Sequence, residues 1–303
     1  MEQVQSSLVS VIIPTYGARG NLKKAIDSVI AQDYSSLEII VVDDNDPETD
    51  ARRQTELLMD AFSSVENVLY IKHSSNRNGA AARNTGLFAS HGQFIAFLDD
   101  DDLFLAGKLS KQVSFLERQP AYAGVYCYAD NDLPPRRVLQ GDLRKKLLLL
   151  ETRMYTPSLM FRRESLMSIR GFDESFRRHQ DYELLMRFFG TGFLMGCVPE
   201  SLIHLGGNAG ENVLNADKLC LLKQKFLTQF DSYISELSKT EFNYKNRVIA
   251  KHYSTVVLAY LKERNIRGAM NIFFIYCTKA PIEFFKVSFS SLFYHLKHIF
   301  VKK

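Results

Sequence analysis

The chain has no tryptophan and no run of about 18 uncharged apolar residues, the length needed to cross a bilayer. Membrane-spanning helices are therefore not expected. Four cysteines, Cys127, Cys197, Cys220 and Cys277, lie far apart, with no CxxC pair and no Cys/His spacing suited to zinc. That excludes a disulfide scaffold and a zinc finger, and reads as reduced core thiols in a cytoplasmic protein. Met1 to Ser7 is short and polar, without a basic segment or an apolar core, so no secretory leader is expected. Three chemical signatures are missing too. No GxGxxG follows the first apolar run, no GxxxxGKS or GxxxxGKT occurs, and there is no GxSxG elbow. Dinucleotide redox chemistry, P-loop phosphate binding and serine-nucleophile chemistry drop out together.

What is present has the composition of a soluble globular protein, 46% apolar and 24% charged. A length of 303 residues has room for one large domain or for one domain plus an appendage. The first half alternates two periodicities. Apolar strand-like runs at Leu8–Ile13, 38–42, 67–72, Phe94–Leu98 and Ala123–Ala129 are separated by helical patterns at 22–31, 50–62, 80–90 and 108–118. Short connections between them imply βαβ units and a mostly parallel sheet covered by helices on both faces. After Asp130 the pattern loosens, with a helix expected at 144–151, strands at 159–162 and 193–198, and a helix at 181–189. From about Asn215 successive helices follow, so a boundary is placed after a Gly/Asn-rich stretch. This gives an α/β domain over 1–212 and a helical, basic and amphipathic region over 213–303.

The most informative feature is Asp99-Asp100-Asp101-Asp102, directly behind the buried-strand pattern Phe94–Leu98. Adjacent carboxylates repel unless water or a cation compensates them. Open parallel sheets bind ligands at the carboxyl ends of their strands. Hard oxygen donors there suit Mg2+ or Mn2+ beside a diphosphate. An acidic run can equally be a solvated loop capping the next helix. Asp43-Asp44 ends another predicted strand on the same edge, and Asp181 opens a predicted helix. Arg83, in the helix behind the Asn78-Gly79 turn, is placed to counter a phosphate.

Five segments resemble family 2 glycosyltransferases, in the family's order and over roughly residues 7 to 210. They are Val9-Ser10-Val11-Ile12-Ile13-Pro14-Thr15-Tyr16, Glu38 to Asp44, Asn78 to Asn84, Phe97 to Asp102, and Gly171-Phe172-Asp173-Glu174 followed by Gln180-Asp181-Tyr182. The resemblance implies the GT-A fold, a nucleotide-sugar donor (a UDP-sugar), a divalent metal, Mn2+ or Mg2+, and inversion at the anomeric carbon. It further implies that Pro14, Thr15 and Tyr16 line the base pocket, with Tyr16 stacking on the base and Asp44 accepting a hydrogen bond from it. By the same resemblance Arg83 lies near the base and diphosphate, and Asp99 and Asp100 near ribose and phosphates. Asp101 holds the metal, in a register that four consecutive aspartates leave open by one residue. His204 falls in a late loop where some relatives supply a metal or diphosphate ligand, and packs locally otherwise. Asp181 is the general base implied, although helix capping suits it as well. Gly17, where many relatives carry Asn, and Asn45-Asp46, in place of Gly-Ser, depart from the family pattern. The family's polymer synthases carry a Gln-x-x-Arg-Trp motif and membrane helices, both missing here, so transfer of a single sugar to a glycan or lipid-linked acceptor in surface-polysaccharide synthesis is expected.

Nucleotidyl transfer and a catalytically inactive, sugar-binding scaffold are the competing readings. Charge is uneven. Lys245 to Lys303 holds eleven Lys/Arg against Glu263 and Glu283, interleaved with Phe, Ile, Leu and Tyr. That pattern disfavours nucleic acid and suits an anionic membrane surface at the inner face of the cell membrane. Packing of this apolar stripe on the catalytic domain, or on a second copy in a homodimer, is the alternative.

Overall fold

The computed structural model describes residues 6–17, 21–130, 137–152, 154–206 and 214–286. The chain divides into two compact units, Met1–Leu143 with Met154–Asn208, and Arg144–Arg153 with Ala209–Lys303.

The first unit is built on one eight-stranded sheet. In chain order its strands are β1 (Val9–Thr15), β2 (Leu37–Asp43), β3 (Val68–Lys72), β4 (Phe94–Phe97), β5 (Leu103–Phe104), β6 (Gly124–Ala129), β7 (Leu159–Arg162) and β8 (Met195–His204). They lie side by side as β3-β2-β1-β4-β7-β6-β8-β5. Pairing is parallel for β1 with β2 and β4, β2 with β3, and β6 with β8, and antiparallel at β4–β7, β6–β7 and β5–β8. The mostly parallel α/β sheet expected from the alternating periodicities is therefore present. Val9, Val11, Ile12 and Ile13 of the central strand are wholly buried, as a strand covered on both faces requires.

Helices α1 (Leu22–Ile30), α2 (Asp50–Asp60), α3 (Gly79–Ala89) and α4 (Lys108–Arg118) follow the first strands. Helix α1 buries Leu22, Ala25, Ile26 and Val29, the i, i+3, i+4, i+7 stripe of an amphipathic helix. Helix α3 approaches β1 so closely that a Cβ on Gly86 would meet Ile12 Cγ2 at 2.4 Å. Any larger residue at 86 would push α3, and the site residues on it, away from the sheet.

Two departures from the sequence reading have physical causes. β8 runs on to His204, past the polar Pro199-Glu200-Ser201 that ended the expected strand at 198. It does so with register shifts against β6 near Tyr128, which let an exposed stretch interrupt the apolar alternation. β5 is only two residues long, too short to carry a period.

The second unit holds α5 (Arg144–Leu148), α8 (Ala216–Gln229), α9 (Asp231–Ser238), α10 (Tyr244–Lys262), α11 (Ile266–Ile272) and a π-helical turn at Phe273–Cys277. Two further helices, α6 (Arg163–Ser168) and α7 (Gln180–Gly190), belong to the first unit. Residues 144–153 join the second unit through polar ties to α10. His252 bonds the Leu148 carbonyl at 2.9 Å, and Lys251 pairs with Glu151 at 3.3 Å. Asn215 caps α8 by accepting from the Lys218 N–H. The four cysteines are free. Among the described residues no helix is long and apolar enough to cross a membrane. Phe289, Leu292, Phe293, Leu296 and Phe300, part of the apolar pattern interleaved with the basic residues of Lys245–Lys303, lie outside the described residues.

Candidate active site

The ends of β1, β2 and β4 bring the acidic motifs to one edge of the sheet. Phe97 is in register with Ile12, and Asp43 with Thr15, so all three chains leave the sheet side by side. Thr15 donates its hydroxyl to Asp100 Oδ2 at 2.6 Å, and the Tyr16 N–H points to the same oxygen at 3.4 Å. Pro14 sits in β1 opposite Val42. The Tyr16 side chain is 52% exposed at the strand end, leaving a ring available for stacking. Burial, reinforced by the charges of Asp99 and Asp101 and opposed by the Thr15 hydroxyl, raises the Asp100 carboxyl to about 6. Burial, followed by the charge of Asp99, lifts Asp102 to about 8, although it accepts a 2.8 Å bond from the Gly206 N–H.

Arg83 pairs with the same run, and Asp181 lies within electrostatic reach of both. The Arg83 guanidinium pairs with Asp99, donates to Gln180 Oε1 at 2.7 Å, and lies over the Phe172 ring at 5.5 Å. Its Nε is buried without a hydrogen-bond partner. Asp181 lies in the first turn of α7, and it is His179, not Asp181, that occupies the N-cap position. Its Oδ1 accepts from the Tyr182 N–H at 2.9 Å, a place where the helix dipole favours a carboxylate. Burial nevertheless raises it to about 6, opposed by that N–H and by the Arg83 charge. A carboxylate poised there suits proton transfer near neutrality.

Asp44 has a different setting from the one expected. It is 2% exposed, and its carboxylate takes four protein bonds: His73 Nδ1 at 2.7 Å, the Arg77 N–H at 2.8 Å, the Asn78 N–H at 2.9 Å and Asn76 Nδ2 at 3.0 Å. It thereby fixes the loop that starts α3. Asn78, at a φ of 88°, caps that helix by accepting from the Ala80 and Ala81 N–H groups. One residue earlier, Asp43 is wholly buried and pairs with Arg52 at 3.0 Å.

Asn84 explains why two distant motifs belong together. It accepts from the Phe172 N–H at 2.8 Å and donates to the Phe172 carbonyl at 2.9 Å and to Glu174 at 3.0 Å. The loop holding Phe172 against Arg83 is thus clipped to α3. Gln180, Phe172 and His73 are not singled out by sequence. The first two stand inside quoted motifs without an ionisable group to mark them. The two departures from the family pattern also touch. The Gly17 N–H, at a φ of 87°, donates to Asn45 Oδ1 at 2.7 Å.

His204 ends β8 opposite Leu103, directly beside the acidic run, and its Nδ1 lies 2.8 Å from Asp130. A carboxylate on Nδ1 fixes the tautomer that leaves Nε2 as a ligand atom. Asp101 is half-buried between Asp100 and Asp102. Among the described residues no three His, Cys, Asp or Glu side chains converge on one point to hold a metal. Carboxylate and imidazole donors without a closed cage fit Mg2+ or Mn2+, which take one or two protein ligands and complete their shell with water and substrate phosphates.

Comparison with known proteins adds an independent line. The profile described as Glycosyl transferase family 2 matches residues 10–183, more than half of the chain. Amylovoran biosynthesis glycosyltransferase AmsB of Erwinia amylovora is 28% identical over 256 residues, covering 78% of this chain and 84% of AmsB. The fold is similar to that of S. aureus TarS 1-349 in complex with UDP-GlcNAc (TM-score 0.59, 15% identity, 88% of this chain and 90% of that one). It is also similar to mannosyltransferase PcManGT from Pyrobaculum calidifontis in complex with GDP-Man and Mn2+ (TM-score 0.61, 20% identity, 89% and 74%). The sheet, the helices around it and these likenesses are those of the GT-A fold. The chain belongs to glycosyl transferase family 2 and is a glycosyltransferase.

Proposed function

We propose that the chain is an inverting, metal-dependent transferase that moves a single sugar from a UDP-sugar to a hydroxyl of a glycan or lipid-linked glycan in bacterial surface-polysaccharide synthesis. The observation carrying this reading is the meeting of Arg83 with Asp99 and Gln180, next to Asp181, whose carboxyl feels both charges. Similarity to an amylovoran biosynthesis enzyme supports the polysaccharide part.

In this scheme Tyr16 stacks on the base, with Pro14 and Thr15 shaping the strand end beneath it. Asp44 contributes through the loop it anchors, since its oxygens are taken by His73, Asn76, Arg77 and Asn78. The buried guanidinium of Arg83, with an unused Nε donor, faces the anionic donor. Asp99 and Asp100 border ribose and phosphates. Asp101 and His204 would hold Mn2+ or Mg2+, which when bound neutralises charge on the diphosphate. The acceptor hydroxyl oxygen attacks the anomeric carbon from the face opposite the diphosphate, and its proton passes to the Asp181 carboxylate as the bond to the diphosphate breaks. One displacement inverts configuration and needs no nucleophilic side chain, consistent with a carboxylate-led site.

Calorimetric titration with UDP, GDP and dTDP, with and without Mn2+, on wild type and Asp101→Ala, tests this. Metal-dependent binding of UDP that is lost in the variant is expected. Binding of no diphosphate in the presence of Mn2+ would overturn the reading.

A further inference from the structure

The helical unit carries an exposed apolar face. From Leu261 to Lys286 the chain exposes Ile266 (56%), Met270 (54%), Phe274 (61%), Ile275 (52%), Ile282 (68%) and Phe285 (51%). Apolar exposure on that scale in one short stretch marks a contact surface. Ile266, Met270 and Phe274 follow one another every four residues, through α11 and into the π-helical turn at Phe273–Cys277. The same geometry keeps Ala269, Ile272 and Cys277 together on the buried side. Edge-to-face rings join this stripe to the following turn: Phe274 to Phe273 at 5.6 Å, Phe273 to Phe284 at 4.9 Å, and Phe284 to Phe285 at 5.5 Å.

Charge decides the occupant. Lys262, Arg264, Arg267, Lys279 and Lys286 are exposed on the same stretch. The two acids in it already have partners. Glu263 accepts from the Ala216 N–H at 2.7 Å, and Glu283 is 4% exposed among Arg247, Lys251 and Lys286. A two-fold pairing of this face with a second copy would set like cations against each other. An anionic lipid surface accepts the apolar side chains at the acyl boundary and the cations among its headgroups.

We infer that the helical unit binds an anionic phospholipid surface through the face carrying Ile266, Met270, Phe274, Ile282 and Phe285. This does not depend on the donor or metal assigned to the other unit. The test is co-sedimentation of the full chain with vesicles of phosphatidylcholine alone or mixed with phosphatidylglycerol. Wild type is expected to sediment with the anionic vesicles and to be released by salt. Phe274→Ser with Ile282→Ser, and separately Arg267→Glu with Lys279→Glu, are each expected to weaken binding by about tenfold or more. All four side chains are exposed, so unchanged melting of each double variant is expected. Should one pair melt early, the other decides. No sedimentation of wild type overturns the inference, including when light scattering shows a dimer that Phe274→Ser with Ile282→Ser dissociates. Binding that both double variants retain overturns it as well, by placing the contact elsewhere on the chain.

Discussion

The carboxyl ends of β2 and β4 both carry aspartates, and the two ends are built in opposite ways. At β2 every carboxylate has protein partners: Asp43 holds Arg52, the Asn45 amide and the Tyr70 hydroxyl, and Asp44 holds His73 and three donors of the 76–78 loop. At β4 four carboxylates share Thr15, Arg83 and the Gly206 N–H among their contacts, and burial drives two of them, Asp100 and Asp102, well above the usual range. Satisfied charge makes scaffold. Crowded negative charge at a strand end makes a place for a cation, and through it for a phosphate. The β2 end therefore positions α3 and its Arg83, and the β4 end is where the metal and the donor diphosphate are proposed to sit.

The sharpest way to separate scaffold from chemistry is to remove Asp181. Asp181→Asn is expected to lower kcat by about 10²–10⁴ with melting unchanged, measured with the nucleotide-sugar selected by titration. A loss of stability with kcat intact would assign Asp181 to the scaffold. On the proposed mechanism Asp181 must be charged to accept the proton, and burial holds its carboxyl at about 6, so kcat/KM should fall about tenfold per pH unit below 6. The Arg83 charge favours the ionised form, so Arg83→Met is expected to move this acid limb to higher pH.

The next contrast sets Asp43 against Asp100. Asp43→Ala leaves Arg52, whose side chain is 6% exposed, without its carboxylate, and is expected to cost about 3–5 kcal/mol in urea unfolding. Asp100→Asn replaces a carboxylate already disfavoured by burial with a neutral amide. It should change stability by less than about 1 kcal/mol while reducing turnover. Equal destabilisation by both would erase the distinction. Asp44→Asn is intermediate. It turns an amide towards N–H donors now satisfied by a carboxylate, costing about 1–3 kcal/mol, and the loosened loop should raise KM for the donor more than it lowers kcat.

Much of this is legible in the residues. The β-branched runs mark the strands and the i, i+3, i+4 stripes mark α1 to α4, because a sheet buried on both faces leaves little freedom in sequence. Asp99–Asp102 and Asp181 stand out as ionisable groups at element boundaries, and Arg83 as a cation among small apolar residues in the helix that opens behind the Asn78-Gly79 turn. Partnership is not legible. Nothing in the order of residues says that Asp44 is closed by His73, 29 residues away, or that Asn84 clips Phe172, 88 residues away. Nor can periodicity tell a helix face that packs from one left open. The stripe at Ile266, Met270 and Phe274 has the same helical spacing as a packed face and is exposed, and the helical unit has no motif comparable to the acidic run.

The smallest effect tests whether the two strand ends are coupled. Asn45 is 1% exposed and replaces a residue more usual in the family, as Gly17 does. Its Oδ1 accepts the Gly17 N–H at 2.7 Å, and its Nδ2 donates to Asp43 at 2.8 Å, so one side chain ties the turn after Tyr16 to the scaffold of β2. Gly17 adopts a φ of 87° that other residues reach only with strain, and its N–H has to be held if Tyr16 is to face a base. Asn45→Ala strands that N–H but spares the Arg52 pair and the Asn45 N–H bond to Asp43. We expect about 1 kcal/mol of destabilisation and a fall of about fivefold in affinity for the nucleotide, read by melting and by titration. Destabilisation with unaltered nucleotide affinity would confine Asn45 to the scaffold and separate the β2 end from the donor pocket. Loss of affinity with unaltered melting would place the Gly17–Asn45 contact in the pocket itself.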